Sequence, residues 1–197
     1  MTTTYAFDFD GTITTRDTLP MFISHVFGLP RMLLGFALNL HWIFLMRLGL
    51  YDNGKTKQRV FSHFFRGMAE ERFNAHCSSF AAANKDLFRP AMSVLLKRLR
   101  DERADVVVVS ASVVNWVRPF FPDPTVTVVG TEVEVIGGRL TGSFSTPNCY
   151  GAEKVRRLLG VRPNRPSYRL VAYGDSRGDR ELLSLADVAY YRQKLTS

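Results

Sequence analysis

Residues 105–110 read Asp-Val-Val-Val-Val-Ser. Four consecutive β-branched side chains favour an extended strand, and the lack of polar alternation means that both faces need apolar cover. Helices packed on both sides of a sheet give such cover, so the run predicts a central parallel strand. Tyr5–Phe9 and Arg169–Gly174 read as further buried strands, with Val126–Val129 and Val188–Tyr191 as additional ones. Between them, helical spacing of Met92, Leu95, Leu96 and Leu99 predicts a helix over 91–103, and Glu153–Leu159 and Arg180–Leu185 read as two more. Strands alternating with helices predict the α/β class: a doubly wound, mostly parallel sheet.

Two stretches depart from that alternation. Residues 131–142, "TEVEVIGGRLTG", alternate and turn at Gly137-Gly138, which predicts a hairpin. Between Thr14 and Lys85 the chain is aromatic-rich, with no strand signal. Val60, Phe61, Phe64, Phe65 and Met68 share one helical face, and Phe73, Cys77 and Phe80 another. The division expected is a helical cap over 16–85, inserted into a core formed by 1–15 and 86–197. Within the cap, Met32–Leu50 is nearly long and apolar enough for a membrane span, but Asn39, His41 and Arg47 interrupt it. A core helix of the insertion is the leading reading, ahead of an interfacial helix on a membrane and of a true span. Arg31 before it, Arg47 near its end and Lys55 and Lys57 after it suit anionic headgroups, so peripheral membrane contact through 32–50 is the partner expected if the helix is interfacial.

At 197 residues the chain has room for one domain plus an insertion. Its net charge of +8 favours anionic partners: phosphorylated metabolites, acidic lipid surfaces or nucleic acid. The basic residues are scattered and match no nucleic-acid-binding motif, so no nucleic-acid partner is expected. Cys77 and Cys149 are too few and too far apart for a disulfide framework or a zinc site. A cytoplasmic protein is expected, since the first residues also lack the basic start and apolar stretch of a signal peptide. The four histidines, His25, His41, His63 and His76, all fall in the insertion and read as packed or surface residues.

The residues with chemistry to offer stand at the ends of predicted strands, where open α/β sheets bind ligands. Asp8 and Asp10 flank Phe9 and precede Gly11-Thr12; Ser110 ends the valine strand; Gly174-Asp175-Ser176-Arg177-Gly178-Asp179 ends the third; Lys154 lies on the segment leading to it. Two like charges as close as Asp8 and Asp10 are costly unless a cation or a moving proton compensates. Carboxylates from Asp8 and Asp175, with Asp179 as a third, offer the hard oxygen ligands that Mg2+ prefers. One carboxylate can then attack phosphorus while the other manages the proton of the leaving group. Lys154, the Ser110 hydroxyl and loop N–H groups such as that of Ala111 can neutralise the phosphate oxygens.

This set resembles the four motifs of the haloacid dehalogenase-like hydrolase superfamily and, more narrowly, its phosphoserine phosphatase-like subfamily, whose helical cap follows the first strand. The contexts "GAEKVRRLLG" and "TEVEVIGGRLTG" are also similar to that subfamily, and the resemblance runs from about Tyr5 to Ala189 with the insertion set aside. It implies that Asp8 is the nucleophile and a metal ligand, and that Asp10 is the acid/base, with its main-chain carbonyl on Mg2+. Thr12 would stand at the phosphate and position Asp10, Ser110, Ala111 and Lys154 would bind phosphate, Asp175 would complete the metal site, and Asp179 would support it. Asp10 favours a phosphatase, because dehalogenases lack this second aspartate. In the phosphoserine enzymes a Glu at the cap entry and an Arg in the cap grip the substrate; Asp17 and Arg59 lie at similar positions here. Gly178 stands where those enzymes often carry Asn. The expected activity is Mg2+-dependent hydrolysis of a small phosphomonoester, phosphoserine-like or a lipid headgroup phosphate, through an aspartyl-phosphate. The alternatives are a phosphotransferase and a membrane-surface binding protein with a vestigial site.

Overall fold

A computed structural model describes residues 2–196. Its main sheet has the order β3-β2-β1-β6-β7-β8, with β1 Thr2–Phe7, β2 Asp105–Val113, β3 Val126–Thr131, β6 Tyr168–Gly174, β7 Val188–Tyr191 and β8 Lys194–Leu195. All neighbours are parallel except β7 and β8. The valine run forms the middle of β2, between β1 and β3, and alternate residues serve opposite faces. Phe7, Val106, Val108, Val171 and Tyr173 join one core, under α6 (Pro90–Asp101) and the inserted helices; Ala6, Val107, Val109, Leu170 and Ala172 join the other, under α8 (Ala152–Val161) and α9 (Arg180–Leu185). From β1 the chain proceeds to β2 and β3 on one side, then returns to β6 on the other. The carboxyl end of β1 is therefore a topological switch point, where a crevice opens.

Two strand ends differ from the expectation. β1 stops at Phe7, and Phe9–Ile13 form a tight turn in which Gly11 has φ +79. A Cβ at Gly11 would collide with the Asp175 carboxylate, so both backbone and space require glycine there. β2 continues to Val113 rather than ending at Ser110; its register with β3 slips after Ser110 pairs with Gly130, a bulge that turns Ala111 and Ser112 out of the ladder. The hairpin is present as β4 (Val133–Ile136) and β5 (Arg139–Phe144), with Gly137 and Gly138 both at positive φ. It packs on the insertion, where Leu140 exchanges main-chain bonds with Gly67 and Met68.

The insertion folds as α1 (Thr18–Phe27), α2 (Leu29–Leu38), α3 (Leu40–Arg47), α4 (Asn53–Phe65) and α5 (Glu70–Ala83). Its centre is Phe22, stacked on Phe65 and Trp116 and edge-on to Phe73 and Phe80. Trp116 comes from α7 (Val114–Val117) beyond β2, so the insertion and the sheet share one core. Met32–Leu50 does not form the core helix expected of it. Asn39 turns its amide onto the Gly35 carbonyl at 2.8 Å, and α2 and α3 meet there at 62°. Gly35 is the one buried residue of α2, pressed against the Phe64 ring, and α3 has none. No single helix among the described residues is long and apolar enough to cross a membrane, although the bent pair meets that measure by length and composition.

Candidate active site

Asp8 is the first residue beyond β1, extended and buried. Its Oδ1 lies 2.5 Å from Lys154 Nζ, and its Oδ2 makes no hydrogen bond among the described residues. Lys154, buried in the first turn of α8, also contacts Asp179 Oδ1 at 2.6 Å. The other Asp179 oxygen accepts from the Ser176 N–H (2.9 Å), the Ser176 hydroxyl (2.8 Å) and the Asp175 N–H (3.2 Å). Burial disfavours the Lys154 charge, but the two carboxylates outweigh it and raise its pKa above the ordinary lysine value. Burial acts in the opposite sense on Asp8: with Asp179 and Asp10 adding to it and Lys154 opposing it, the carboxyl is pushed up to about 7. Asp175 is also raised, by partial burial and then by Asp179.

One oxygen from each of Asp8, Asp175 and Asp179 lies within 4.8 Å of the others. Asp179 has both oxygens engaged by Lys154 and the Ser176 turn, so it holds the lysine and the loop. Asp8 keeps a free oxygen, and Asp175 has only a long 3.4 Å contact from the Thr12 hydroxyl. Two carboxylates with raised pKa values and unspent lone pairs, in a partly dry site, form the donor set that a hard divalent cation takes up. The resemblance implies that Thr12 positions Asp10; here its hydroxyl is turned to Asp175, just past β6, and makes no hydrogen bond to Asp10 among the described residues.

Asp10 is oriented by other residues. Its Oδ1 accepts from the Thr18 N–H (2.7 Å) and hydroxyl (2.6 Å), and its Oδ2 from the Ser112 hydroxyl (2.5 Å). Thr18 begins α1, so the carboxylate also sits at the positive end of that helix. Thr18 in turn accepts from Trp116 Nε1 at 3.2 Å. The bulge after Ser110 supplies Ser112, whose N–H donates to the Ser110 hydroxyl at 3.0 Å and leaves that hydroxyl's own proton free.

A cavity of about 650 Å³ opens over these groups. Of the expected residues it is lined by Asp8, Asp10, Asp17, Ala111, Lys154 and Asp175, while Thr12, Ser110 and Asp179 are buried. Asp17 caps α1 by accepting from the Leu19 N–H at 2.9 Å. Arg59 does not belong to the site. Its Nε donates to the Tyr51 hydroxyl at 3.0 Å and its guanidinium lies 4.1 Å over Trp42, on the side of α4 turned away from the cavity. The inward face of α4 carries Thr56, Lys57 and Val60. Lys57 Nζ donates to the Ala111 carbonyl at 2.8 Å, and withdrawal from water lowers its pKa despite Asp10 and Asp17 nearby. Against Gly178 lies the Tyr150 ring, which a Cβ would approach to 2.5 Å, so the tyrosine fills the space of a larger residue there. None of the four histidines lines the cavity.

Ser112, Thr18 and Lys57 are the site residues missing from the sequence reading. The weak signals were a second serine two positions after Ser110, a threonine beside a helix-capping Asp17, and a lysine on the apolar side of α4.

The family model for haloacid dehalogenase-like hydrolases matches residues 5–184. The chain belongs to this family. Protein CicA of Caulobacter vibrioides is 34% identical over 191 residues, covering 95% of this chain and 84% of that protein. A Bordetella pertussis Tohama I protein of unknown function superposes with a TM-score of 0.82 at 16% identity, over 97% of this chain and 90% of that one. A phosphoserine phosphatase with bound substrate gives a TM-score of 0.65 at 14% identity, over 97% and 86%. The hydrolase fold is thus held in common with phosphoserine phosphatases at low identity.

Proposed function

We propose that this hydrolase is a phosphomonoesterase in which Asp8 attacks phosphorus and Asp10 handles the proton. The observation that carries the reading is the division of labour between the two carboxylates. Asp8 has one oxygen fixed by Lys154 and the other free, whereas both Asp10 oxygens are held by donors from α1 and the β2 bulge. A nucleophile needs an available lone pair, and an acid/base needs a fixed direction.

In the first step the free Asp8 oxygen forms a bond to phosphorus as the ester P–O bond breaks, and Asp10 protonates the departing alkoxide. In the second, water attacks phosphorus and gives its proton to Asp10 as the Asp8 O–P bond breaks, which releases phosphate and restores the Asp8 carboxylate and the protonated Asp10. Lys154 and the free Ser110 proton offset charge on the phosphate oxygens. Asp8, Asp175 and the Asp10 carbonyl would hold Mg2+, which supplies positive charge for the phosphate and brings the raised Asp8 carboxyl back to its ionised form. Asp17 and Lys57, one acidic and one basic, line the same cavity and are placed to meet the substrate.

Hydrolysis of p-nitrophenyl phosphate tests this directly. Purified protein with Mg2+ is expected to release phosphate, chelator to stop it, and Asp8→Asn to lower kcat by more than about a thousandfold. Full activity of Asp8→Asn rules the mechanism out.

A further inference from the structure

Eight of the twelve exposed large apolar side chains among the described residues lie between Leu29 and Leu50. Six of them are on the bent pair α2–α3, including Leu34 (61% exposed) and Leu40 (62%), and Leu48 and Leu50 follow directly after α3. Monomeric soluble proteins rarely leave so concentrated an apolar surface uncovered without using it. The other side of the pair is occupied: Gly35 and Phe36 pack on Phe64, and Phe36, Ile43, Met46 and Arg47 line the catalytic cavity.

The charge around this surface indicates what covers it. Between Asp17 and Glu70 the chain has six basic side chains against one acidic, Asp52; Arg47 and Lys57 line the cavity, which leaves Arg31, Lys55, Arg59 and Arg66 outside it. A second copy of the same surface would bring these like charges together, whereas an anionic bilayer complements both the leucines and the bases. The pair is also built to lie flat. Ten and eight residues at ~1.5 Å each give about 15 and 12 Å, short of the ~30 Å hydrocarbon layer, and the bend at Asn39 and the packed inner side prevent a straight crossing.

We infer that the outer face of α2–α3 docks on the surface of an anionic lipid bilayer and so places the catalytic cavity at that surface. The inference rests on the proposed hydrolase only for what the docking serves; the contact itself is independent of catalysis.

The test is sedimentation of the full chain with vesicles of phosphatidylcholine alone and of phosphatidylcholine mixed with phosphatidylglycerol. Binding is expected with the mixed vesicles, weaker binding with phosphatidylcholine alone, and release by salt. Leu34→Glu/Phe44→Glu is expected to lower the partition more than about tenfold while p-nitrophenyl phosphate hydrolysis and the thermal midpoint stay at the parent level. Failure of the parent to bind mixed vesicles overturns the docking, and so does equal binding by the variant. A concentration-dependent dimer that the same variant dissolves, with no vesicle binding, assigns the surface to a second copy instead. Vesicle binding that the variant loses, in a protein with no phosphatase activity, leaves the docking standing and removes the catalytic reading.

Discussion

Asp8 occupies a position that costs the fold and, in the proposed mechanism, serves the chemistry. Its carboxyl is pushed up to about 7, chiefly by burial. A folded-state pKa above the unfolded value means that stability is highest while the group is protonated in both states. It falls as pH rises from the ordinary value of 3.8 through about 7, and the full penalty is present above that. Asp8→Asn, held in chelator at a pH above 7, is therefore expected to melt at a higher temperature than the parent despite its expected loss of turnover; calorimetry with and without chelator checks this, and an unchanged or lower midpoint contradicts it. Asp10 gives the complementary case. Ser112→Ala removes a donor to one of its oxygens without touching the substrate cavity, so kcat is expected to fall by about ten- to a hundredfold with KM little changed. A proportional rise in KM would show that Ser112 acts on binding instead. Asp8, Asp10 and Asp175 were legible in the sequence because each belongs to a short motif at a strand end, and Lys154 because it stands in the segment that leads to one. Ser112 and Thr18 were not, because their roles come from a bulge and from a helix start that the tertiary fold brings to Asp10.

Among the elements, α4 links the insertion to the carboxyl end of the sheet. Lys57 reaches across the cavity to the Ala111 carbonyl, on the same bulge that supplies Ser112. Its ammonium is held in a poorly solvated position, with lowered pKa, beside Asp10 and Asp17. Such a cation is favourably placed for an anionic substrate, whose arrival offsets the lost hydration. Lys57→Met keeps the stem and removes the charge; steady-state kinetics are expected to show KM raised by about tenfold. Arg59→Met, two positions along on the opposite side of the helix, is expected to leave KM unchanged. The choice of Arg59 from sequence failed on that geometry: two residues along a helix turn by about 200°, and only the structure shows which side faces the cavity. Similarly, the apolar content of Met32–Leu50 was visible, but an all-round apolar stretch does not reveal which face other helices cover. The break at Asn39 and the small contact at Gly35 left most of it exposed.

Across the whole molecule the two ends of the sheet have different tasks. Chemistry gathers at the carboxyl ends of β1, β2 and β6, and the opposite end is tied together by Asp105. Its carboxylate accepts from Thr4 Oγ1 on β1 at 2.7 Å and from Nε and Nη2 of Arg162, just past α8, the former at 2.7 Å. One side chain thus joins two strands and the helix that delivers Lys154. The Arg162 hydrogen bonds, partly offset by burial, hold Asp105 below the ordinary carboxylate value. A lowered folded-state pKa adds stability that is fully present above the unfolded value of 3.8 and is lost as pH falls through the folded one. With the pair partly open to solvent, Asp105→Asn is expected to cost about 1–2 kcal/mol near neutral pH. Denaturant unfolding at a series of pH values should show the parent's advantage shrink below the ordinary carboxylate range. Hydrolysis of p-nitrophenyl phosphate should be unchanged wherever both proteins are folded, because no atom of this tie reaches the cavity. A variant that loses activity while keeping its stability would mean that the two ends of the sheet are coupled.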